Sequence, residues 1–284
     1  MPNSMPRPLP CPLPRSWRGV VGAMALLVLC AATASARAEE IKIGGTGAAL
    51  GTMQLLANAY ARVLPAVKIT VLPSMGSSGG INAVLAGATQ LGLSSRPLTA
   101  AEIKAGATAL EYGRTPFVFA TATANPAVGL STQELVDIYA AKTDRWPDGT
   151  RLRLVVRPMG DSHSHLIKSL SPAMREAQGA AEQRKGMPIA VTDQDSADSI
   201  QNIPGALGTS TLALILSEKR QLKALKLNGI APDVKSIADG SFPLQMRLSF
   251  VTGPKTPAAA QEFVAFVRSA AGRTILEQTG HWVK

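Results

Sequence analysis

The chain has 284 residues, a formal net charge of +10 and only 4% aromatic residues. Proteins that bind single-stranded nucleic acid interleave basic charge with stacking aromatic side chains, so the scarcity of aromatics argues against that class. Both cysteines, Cys11 and Cys30, lie within the first 38 residues, and the rest of the chain therefore has no disulfide or thiolate chemistry.

Residues 1–38 have the order of a secretory signal. Arg7, Arg15 and Arg18 precede an apolar run over residues 20–34, which ends in small residues before Glu39. The run has 15 residues, whereas a helix needs about 20 to span a bilayer. We therefore predict export to the periplasm with cleavage after Ala38. A membrane anchor, lipid attachment at Cys30 and a true start later than Met1 are the alternatives.

Removal of residues 1–38 changes the size and charge of the working protein. Four of the 29 basic residues lie in the predicted signal, which leaves 25 basic and 19 acidic residues and a net charge of +6. The remaining 246 residues suffice for one large domain or two small ones. A mild positive charge fits the attraction of small anions. A basic surface that only maintains solubility would have the same net charge.

The first part of the mature sequence predicts three strand–turn–helix units. In chain order these are a strand over 40–43, a turn over 44–47 and a helix over 48–63, then a strand over 67–72, a turn over 74–80 and a helix over 81–86, then a strand over 90–93 that ends in Ser94-Ser95-Arg96-Pro97. This alternation is typical of a parallel sheet flanked by helices. The turns fall where open α/β sheets bind ligands, and their Gly, Ser and Thr residues suit an anion at a helix N-terminus.

The same pattern recurs in the second half. A strand is predicted over 117–123, a helix after the capping box of Ser131 and Glu134, a turn over 146–149, a strand over 152–156 followed by a polar loop and a helix, a strand over 247–252, and one final amphipathic helix that contains Phe263 and Ile275. The polar loop runs from Arg157 to His165. It is the second-half counterpart of the Gly- and Ser-rich turns.

Taken together, these segments resemble the periplasmic phosphate-binding proteins, which are the solute-binding components of phosphate ABC importers. Thr46-Gly47-Ala48, Gly76-Ser77-Ser78-Gly79-Gly80 and Leu91-Gly92-Leu93-Ser94-Ser95 look like the three N-terminal anion-binding segments of that family, and Arg157 with Ser162-His163-Ser164 looks like the fourth. The stretches 130–146, 204–208 and 240–252 resemble later family segments in the same order. The likeness covers essentially all of residues 40–284.

The resemblance implies an α/β fold of the type II periplasmic binding protein class, with a ligand cleft between two lobes. Lobe 1 would comprise residues 39–120 and 246–284, and lobe 2 residues 121–245, with crossover strands over 117–123 and 247–252. The resemblance further implies a monomer that needs no cofactor and binds no nucleic acid. It would close on its ligand by a hinge motion. It is not an enzyme, and its partner is an inner-membrane ABC permease.

The resemblance also implies a set of ligand-binding residues. They are Thr46, Gly47, Ala48, Ser77, Ser78, Ser94, Ser95, Arg96, Arg157, Ser162, His163 and Ser164. Each has a plainer structural interpretation: the glycines and serines as tight turns or helix caps, and Arg96 as one half of a surface ion pair.

Two departures from the family pattern bear on the ligand. Ser95 stands where the family has an Asp that accepts the proton of a protonated phosphate, and a hydroxyl can donate as well as accept. The swap leaves room for sulfate, molybdate or tungstate beside phosphate. In the fourth segment Asp161 places a negative charge near the site, His163 replaces a glycine, and Pro158 occupies the position of the family's arginine, one residue after Arg157.

Three alternatives are weighed against oxyanion capture for transport. Gly76-Ser77-Ser78-Gly79-Gly80 contains the spacing of a hydrolase nucleophile elbow, with Ser78 as nucleophile, His281 as base and Asp193 or Asp239 as its partner. His163 and His165 lie too far apart in angle to chelate one metal from a strand or helix. A sensor or adaptor of the same fold with altered or lost ligand is the alternative within the binding class.

Overall fold

The computed structural model describes residues 39–283. The predicted signal peptide and its cleavage site lie outside the described residues. Within this range, no helix combines the length and the apolar character that a membrane crossing requires.

A mixed eight-stranded sheet organises the described chain. The described residues form ten strands, eight of them in this sheet: β1 (Glu39–Gly45), β2 (Val67–Val71), β3 (Leu91–Ser94), β4 (Thr108–Ala122), β5 (Gly129–Leu130), β6 (Arg153–Leu154), β7 (Ala206–Thr211), β8 (Leu222–Ala224), β9 (Lys226–Leu227) and β10 (Gln245–Thr252). The sheet order is β2-β1-β3-β10-β4-β7-β6, with β8 paired to β4, while β5 and β9 form a separate pair. Strands β1, β2 and β3 are parallel, and β10 runs antiparallel between β3 and β4.

Helices pack on this sheet and supply the apolar core. They are α1 (Leu50–Val63), α2 (Gly76–Ala86), α3 (Ala100–Lys104), α4 (Thr132–Tyr139), α5 (Ser162–Ser169), α6 (Pro172–Gln183), α7 (Asp193–Asn202), α8 (Leu212–Ser217), α9 (Val234–Ala238), α10 (Ala258–Arg268) and α11 (Ala270–Gln278). Tyr60 of α1 meets Phe263 of α10 edge-on with ring centroids 5.3 Å apart. Such aromatic contacts add to the stabilisation that apolar burial provides.

Strand β4 connects the two halves of the sheet. Its residues 108–116 pair with β10, residues 117–120 pair with β7, and residues 120–122 pair with β8. The sequence predicts only the apolar second half, over 117–123. The first half was missed because its initial residues are exposed, and Glu111, Gly113 and Arg114 break the apolar run that marked the rest of the strand.

Most other elements confirm the sequence pattern, with shifts at their ends. The capping box of Ser131 and Glu134 is present, with both reciprocal bonds. The turn over 74–80 is shorter than predicted, because α2 begins at Gly76. The predicted final helix is two helices, since Ser269 ends α10 in an extended conformation and caps α11. The strand over 152–156 is reduced to Arg153–Leu154.

The glycines of the first two turns let α2 lie directly on the backbone of β1. A Cβ added at Gly80 would stand 2.6 Å from Gly45 Cα and 2.7 Å from Gly44 O. No side chain fits in that space without moving the helix or the strand. This contact places the first turn of α2 beside the end of β1.

We predict that Gly80→Ala destabilises the protein by about 1–3 kcal/mol, the range for overpacking a filled interior. Urea unfolding followed by circular dichroism measures the difference. Gly179→Ala is the matched control, because Gly179 lies inside α6 and an added Cβ there meets nothing within 4 Å among the described residues. This control should be neutral or stabilising by up to about 1 kcal/mol, and equal losses in both variants would contradict the packing argument.

Candidate functional site

Three serine hydroxyls from separate segments meet beyond the carboxyl end of β3. Ser77 lies in the first turn of α2, Ser95 follows β3, and Ser162 begins α5. Ser77 Oγ lies 3.1 Å from Ser95 Oγ, which donates to Ser162 Oγ at 3.3 Å. The Ser95 amide also donates to Ser77 Oγ at 2.9 Å. We call these three residues the serine cluster; all three are predicted ligand residues.

The N-terminus of α2 adds amide donors to the serine cluster. Met75 at its N-cap position makes no side-chain capping bond, and the first turn of the helix has no acidic residue. Among the described residues, then, no side-chain cap neutralises the partial positive charge of this helix end. An uncapped N-terminus of an 11-residue helix beside hydroxyl groups favours an anion.

Arg96 lies next to the serine cluster, but its charge is compensated. Its guanidinium donates to both carboxylate oxygens of Glu102, at 2.7 and 3.0 Å, and to Ser78 Oγ at 2.9 Å. The hydrogen bonds from Arg96 hold the pKa of Glu102 at about 2 against the effect of its partial burial. Arg96 therefore positions Ser78, and Glu102 neutralises the charge of Arg96.

Arg157 is also paired within the protein. Its side chain is only 5% exposed, and it donates to Asp161 through Nε at 3.2 Å and Nη2 at 3.0 Å. A third bond runs from Nη1 to Ala190 O at 3.1 Å. Asp161 in turn caps α5 by accepting the His163 amide at 2.9 Å, so the predicted ligand arginine is held by the cap of the helix that follows it.

A second carboxylate, from Asp193, lies among predicted ligand residues. Its Oδ2 accepts the Ala48 amide at 3.0 Å. Its Oδ1 lies 2.7 Å from His163 Nε2 and 3.8 Å from Arg157 Nη2. The other ring nitrogen of His163, Nδ1, lies 3.0 Å from Thr209 Oγ1.

The surroundings of Asp193 keep it ionised. Burial by itself raises the pKa of this carboxyl group, but the charges and hydrogen bonds of His163, Arg157 and the Ala48 amide outweigh burial and lower it to about 2. A buried carboxylate held in this way retains its charge at neutral pH.

The remaining predicted ligand residues make local contacts. The Thr46 amide donates to Leu93 O at 3.0 Å, and Gly47 O accepts from Gln194 Nε2 at 3.0 Å. Ser94 Oγ donates to Arg96 O at 2.8 Å and so shapes the turn after β3. Ser164 is fully buried, donates to Pro158 O at 3.3 Å and accepts from Gln178 Nε2 of α6 at 3.2 Å.

Sequence reasoning did not find the role of Asp193 or the contacts of Gln194 and Thr209. A local signal was present, because Thr192 and Asp195 form a capping box that places Asp193 in the first turn of α7. Nothing in that motif shows that α7 faces the turn after β1. That proximity arises from the tertiary fold.

A cavity of about 570 Å³ opens beside the serine cluster. Its lining includes Ser95, Ser162, His165 and Arg247. His165 and Arg247 are exposed, and within residues 39–283 neither side chain has a hydrogen-bond or ion-pair partner. This cavity gives solvent and small solutes access to the hydroxyl groups.

The residues of the hydrolase alternative do not assemble. His281 is buried, and its Nδ1 contacts Leu276 O at 3.1 Å and Thr279 Oγ1 at 3.2 Å. Burial lowers the pKa of His281 to about 4. Asp193 pairs with His163 instead, and Ser78 Oγ accepts from Arg96. A nucleophile activated by His281 is therefore absent from the described part of the chain.

Comparison with known proteins places this chain in a family. A family model described as a PBP superfamily domain matches residues 31–271. The phosphate-binding protein PstS of Bacillus subtilis (strain 168) is 27% identical over 254 residues, which cover 83% of this chain and 79% of that protein. The PstS of Borreliella burgdorferi is 21% identical over 248 residues, covering 84% and 88%.

A solved structure shares the fold. It is that of a candidate phosphate ABC transporter substrate-binding protein with bound phosphate from Clostridium perfringens. The TM-score is 0.72 at 21% identity, and the match covers 87% of this chain and all of that one. This likeness confirms the predicted α/β fold of the type II binding-protein class.

We predict that Asp193 makes stability pH-dependent in the acid range. Its pKa in the folded protein, about 2, lies below the ordinary value of 3.8, so its ionisation contributes stability that is complete above about pH 4 and is lost as the pH falls toward 2. A pKa shift of this size contributes roughly 2 kcal/mol to the free energy of unfolding. In phosphate-free buffer, the stability difference between wild type and Asp193→Asn should narrow as the pH falls from 5 to 3. A difference that stays constant would contradict the assignment.

Proposed function

Because the chain belongs to the PBP superfamily, we propose that it is an exported solute-binding protein that captures a small tetrahedral oxyanion, phosphate first, for an inner-membrane ABC permease. The observation that carries this proposal is the serine cluster, in which Ser95 Oγ lies 3.1 Å from Ser77 Oγ and 3.3 Å from Ser162 Oγ, so that hydroxyl groups from three separate segments meet. It is not an enzyme.

The chemistry of the serine cluster suits an oxyanion without a metal or cofactor. Each serine hydroxyl donates one hydrogen bond and can rotate to aim it. The uncapped N-terminus of α2 adds backbone amides with a favourable dipole. A tetrahedral anion presents four oxygen atoms, which these convergent donors can share.

Phosphate is the first choice of ligand because the relatives named as phosphate-binding proteins match most of the chain. Ser95, in place of the family's Asp, bonds both other members of the serine cluster. Since a hydroxyl can donate to an oxyanion that carries no proton, sulfate and molybdate are the competitors to test.

The lobe arrangement belongs to the same proposal. Lobe 1 would comprise residues 39–120 and 246–284 and lobe 2 residues 121–245, with β4 and β10 as the crossovers. The serine cluster supports this division, because Ser77 and Ser95 come from lobe 1 and Ser162 from lobe 2. A ligand that bonds all three would favour the closed state of a hinge motion. The working form would be a periplasmic monomer that begins after Ala38.

One observation favours the second candidate, a sensor or adaptor of the same fold with altered or lost ligand. Asp193 already occupies the Ala48 amide that the resemblance assigns to the ligand. Calorimetry on the purified protein decides between the two candidates, because transport requires binding of phosphate, sulfate, molybdate or tungstate. Absence of binding for all four would reject the oxyanion proposal.

We predict that Ser95→Ala weakens phosphate binding about tenfold to a hundredfold, since a lost hydrogen bond to a charged group costs roughly 1.5–3 kcal/mol. Isothermal titration calorimetry measures the change. Ser169→Ala is the control, because Ser169 lies at the far end of α5, is exposed and bonds only Leu166 O in the described structure. Equal affinities for wild type and Ser95→Ala would place the ligand elsewhere.

A further inference from the structure

The cavity beside the serine cluster is larger than a bare tetrahedral oxyanion requires. Its volume is about 570 Å³, within the range of about 300–1,000 Å³ that accommodates drug-sized ligands, whereas a tetrahedral oxyanion is one atom with four oxygens. The cavity is not a gap between separated segments, because Ser95 and Ser162, which both line it, already hydrogen-bond at 3.3 Å. Room therefore remains beside an oxyanion that the serine cluster holds.

Strand β10 places a row of polar side chains along this cavity. Gln245, Arg247 and Ser249 alternate with buried residues and share one face of the strand, and all three line the cavity. Ser249 stands opposite Ser94 in the register of β10 and β3, and Ser94 is the chain neighbour of Ser95 in the serine cluster. Since a strand rises about 3.3 Å per residue, Arg247 lies roughly 7 Å along β10 from that point.

Arg247 is an uncompensated cation at the cavity. Its side chain is exposed and has no hydrogen-bond or ion-pair partner within residues 39–283. It stands opposite Arg114 in the register of β10 and β4, where like charges destabilise a sheet. Glu111 compensates Arg114 at 2.6 Å, and Glu102 compensates Arg96 at 2.7 Å. The charge left over at the cavity is therefore the positive charge of Arg247.

The other walls supply a second donor and an apolar surface. His165 follows Ser162 by three residues on α5, so the two side chains lie on the same side of that helix, and both line the cavity. Leu166 and Met246 add apolar surface to the lining, against which methylene groups are buried favourably. Guanidinium and imidazole groups donate to carboxylates and phosphates. These walls can hold a carbon spacer that ends in an anionic group.

We propose that this cavity is a second subsite, and that the ligand is a tetrahedral oxyanion joined through carbon to a second anionic group, as in a phosphorylated or phosphonylated carboxylic acid. The proposal rests on the proposed function for the first subsite, where the serine cluster and the N-terminus of α2 hold the tetrahedral group. Arg247 binds the carboxylate through its planar fork of donors, and the spacer packs on Leu166 and Met246. Inorganic phosphate fills the first subsite alone.

The test compares ligands that differ only in the second group. Phosphonocarboxylates with one to three methylene groups are titrated calorimetrically against alkylphosphonates of equal length, in which a methyl group replaces the carboxylate. At least one phosphonocarboxylate should bind about fivefold to tenfold more tightly than its alkyl counterpart. Arg247→Gln should abolish this difference. Arg62→Gln, which removes an exposed arginine of α1 outside the cavity lining, should preserve it.

Each outcome decides the proposal. Equal affinities for the two series, with inorganic phosphate bound, overturn it and leave the proposed function standing. Equal losses of phosphate and phosphonocarboxylate affinity in Arg247→Gln make Arg247 a ligand of the tetrahedral group and also overturn it. Binding of phosphonocarboxylates without inorganic phosphate supports the proposal and rejects phosphate itself as the ligand, whereas binding of neither rejects both. The ligand comparison on wild type alone remains decisive if Arg247→Gln does not fold by circular dichroism.

Discussion

A buried guanidinium needs compensating charge, and the site is arranged around that constraint. Removing an arginine from water costs several kcal/mol unless carboxylates and carbonyls satisfy its donors. Asp161, Asp193 and Ala190 O meet this need for Arg157. Two of those partners also organise the backbone, since Asp161 caps α5 and Asp193 binds the Ala48 amide. The ion pairs therefore set where the segments of the site meet.

This arrangement separates the site into two chemically different parts. The Asp193 carboxylate already accepts the Ala48 amide and lies beside His163 and Arg157. Around the serine cluster, rotatable hydroxyl groups bond one another at 3.1–3.3 Å, and each can exchange its serine partner for a ligand oxygen at little cost. The cavity beside Ser95 and Ser162 opens onto this second part. The hydroxyl groups that can exchange their partners are therefore also the ones beside the cavity that solutes can enter.

The sequence predicts much of this architecture, because its strongest signals are local. Apolar periodicity and Gly/Ser-rich turns locate β1, β2 and β3 and the helices after β1 and β2, and Ser131 and Glu134 mark a true capping box. The mixed order of the sheet is not local, and the polar start of β4 does not resemble a strand. The sequence also predicts Ser77, Ser95 and Ser162 as ligand residues of one site, and the fold brings their hydroxyl groups together. It offers an ion pair as one interpretation of Arg96 but does not identify Glu102 as the partner. It cannot show that Asp193 reaches Ala48, since residues 145 positions apart meet only through the fold.

The central claim is that a tetrahedral oxyanion binds at the serine cluster while Asp193 remains on the first turn. A crystal structure of the protein grown with arsenate, located by its anomalous scattering, tests this most directly. The account predicts an arsenic peak with oxygens in hydrogen-bond contact with Ser77 and Ser95, and Asp193 still bonded to the Ala48 amide. Arsenate bound at the Ala48 amide with Asp193 displaced, or absent from the serine cluster altogether, would contradict it.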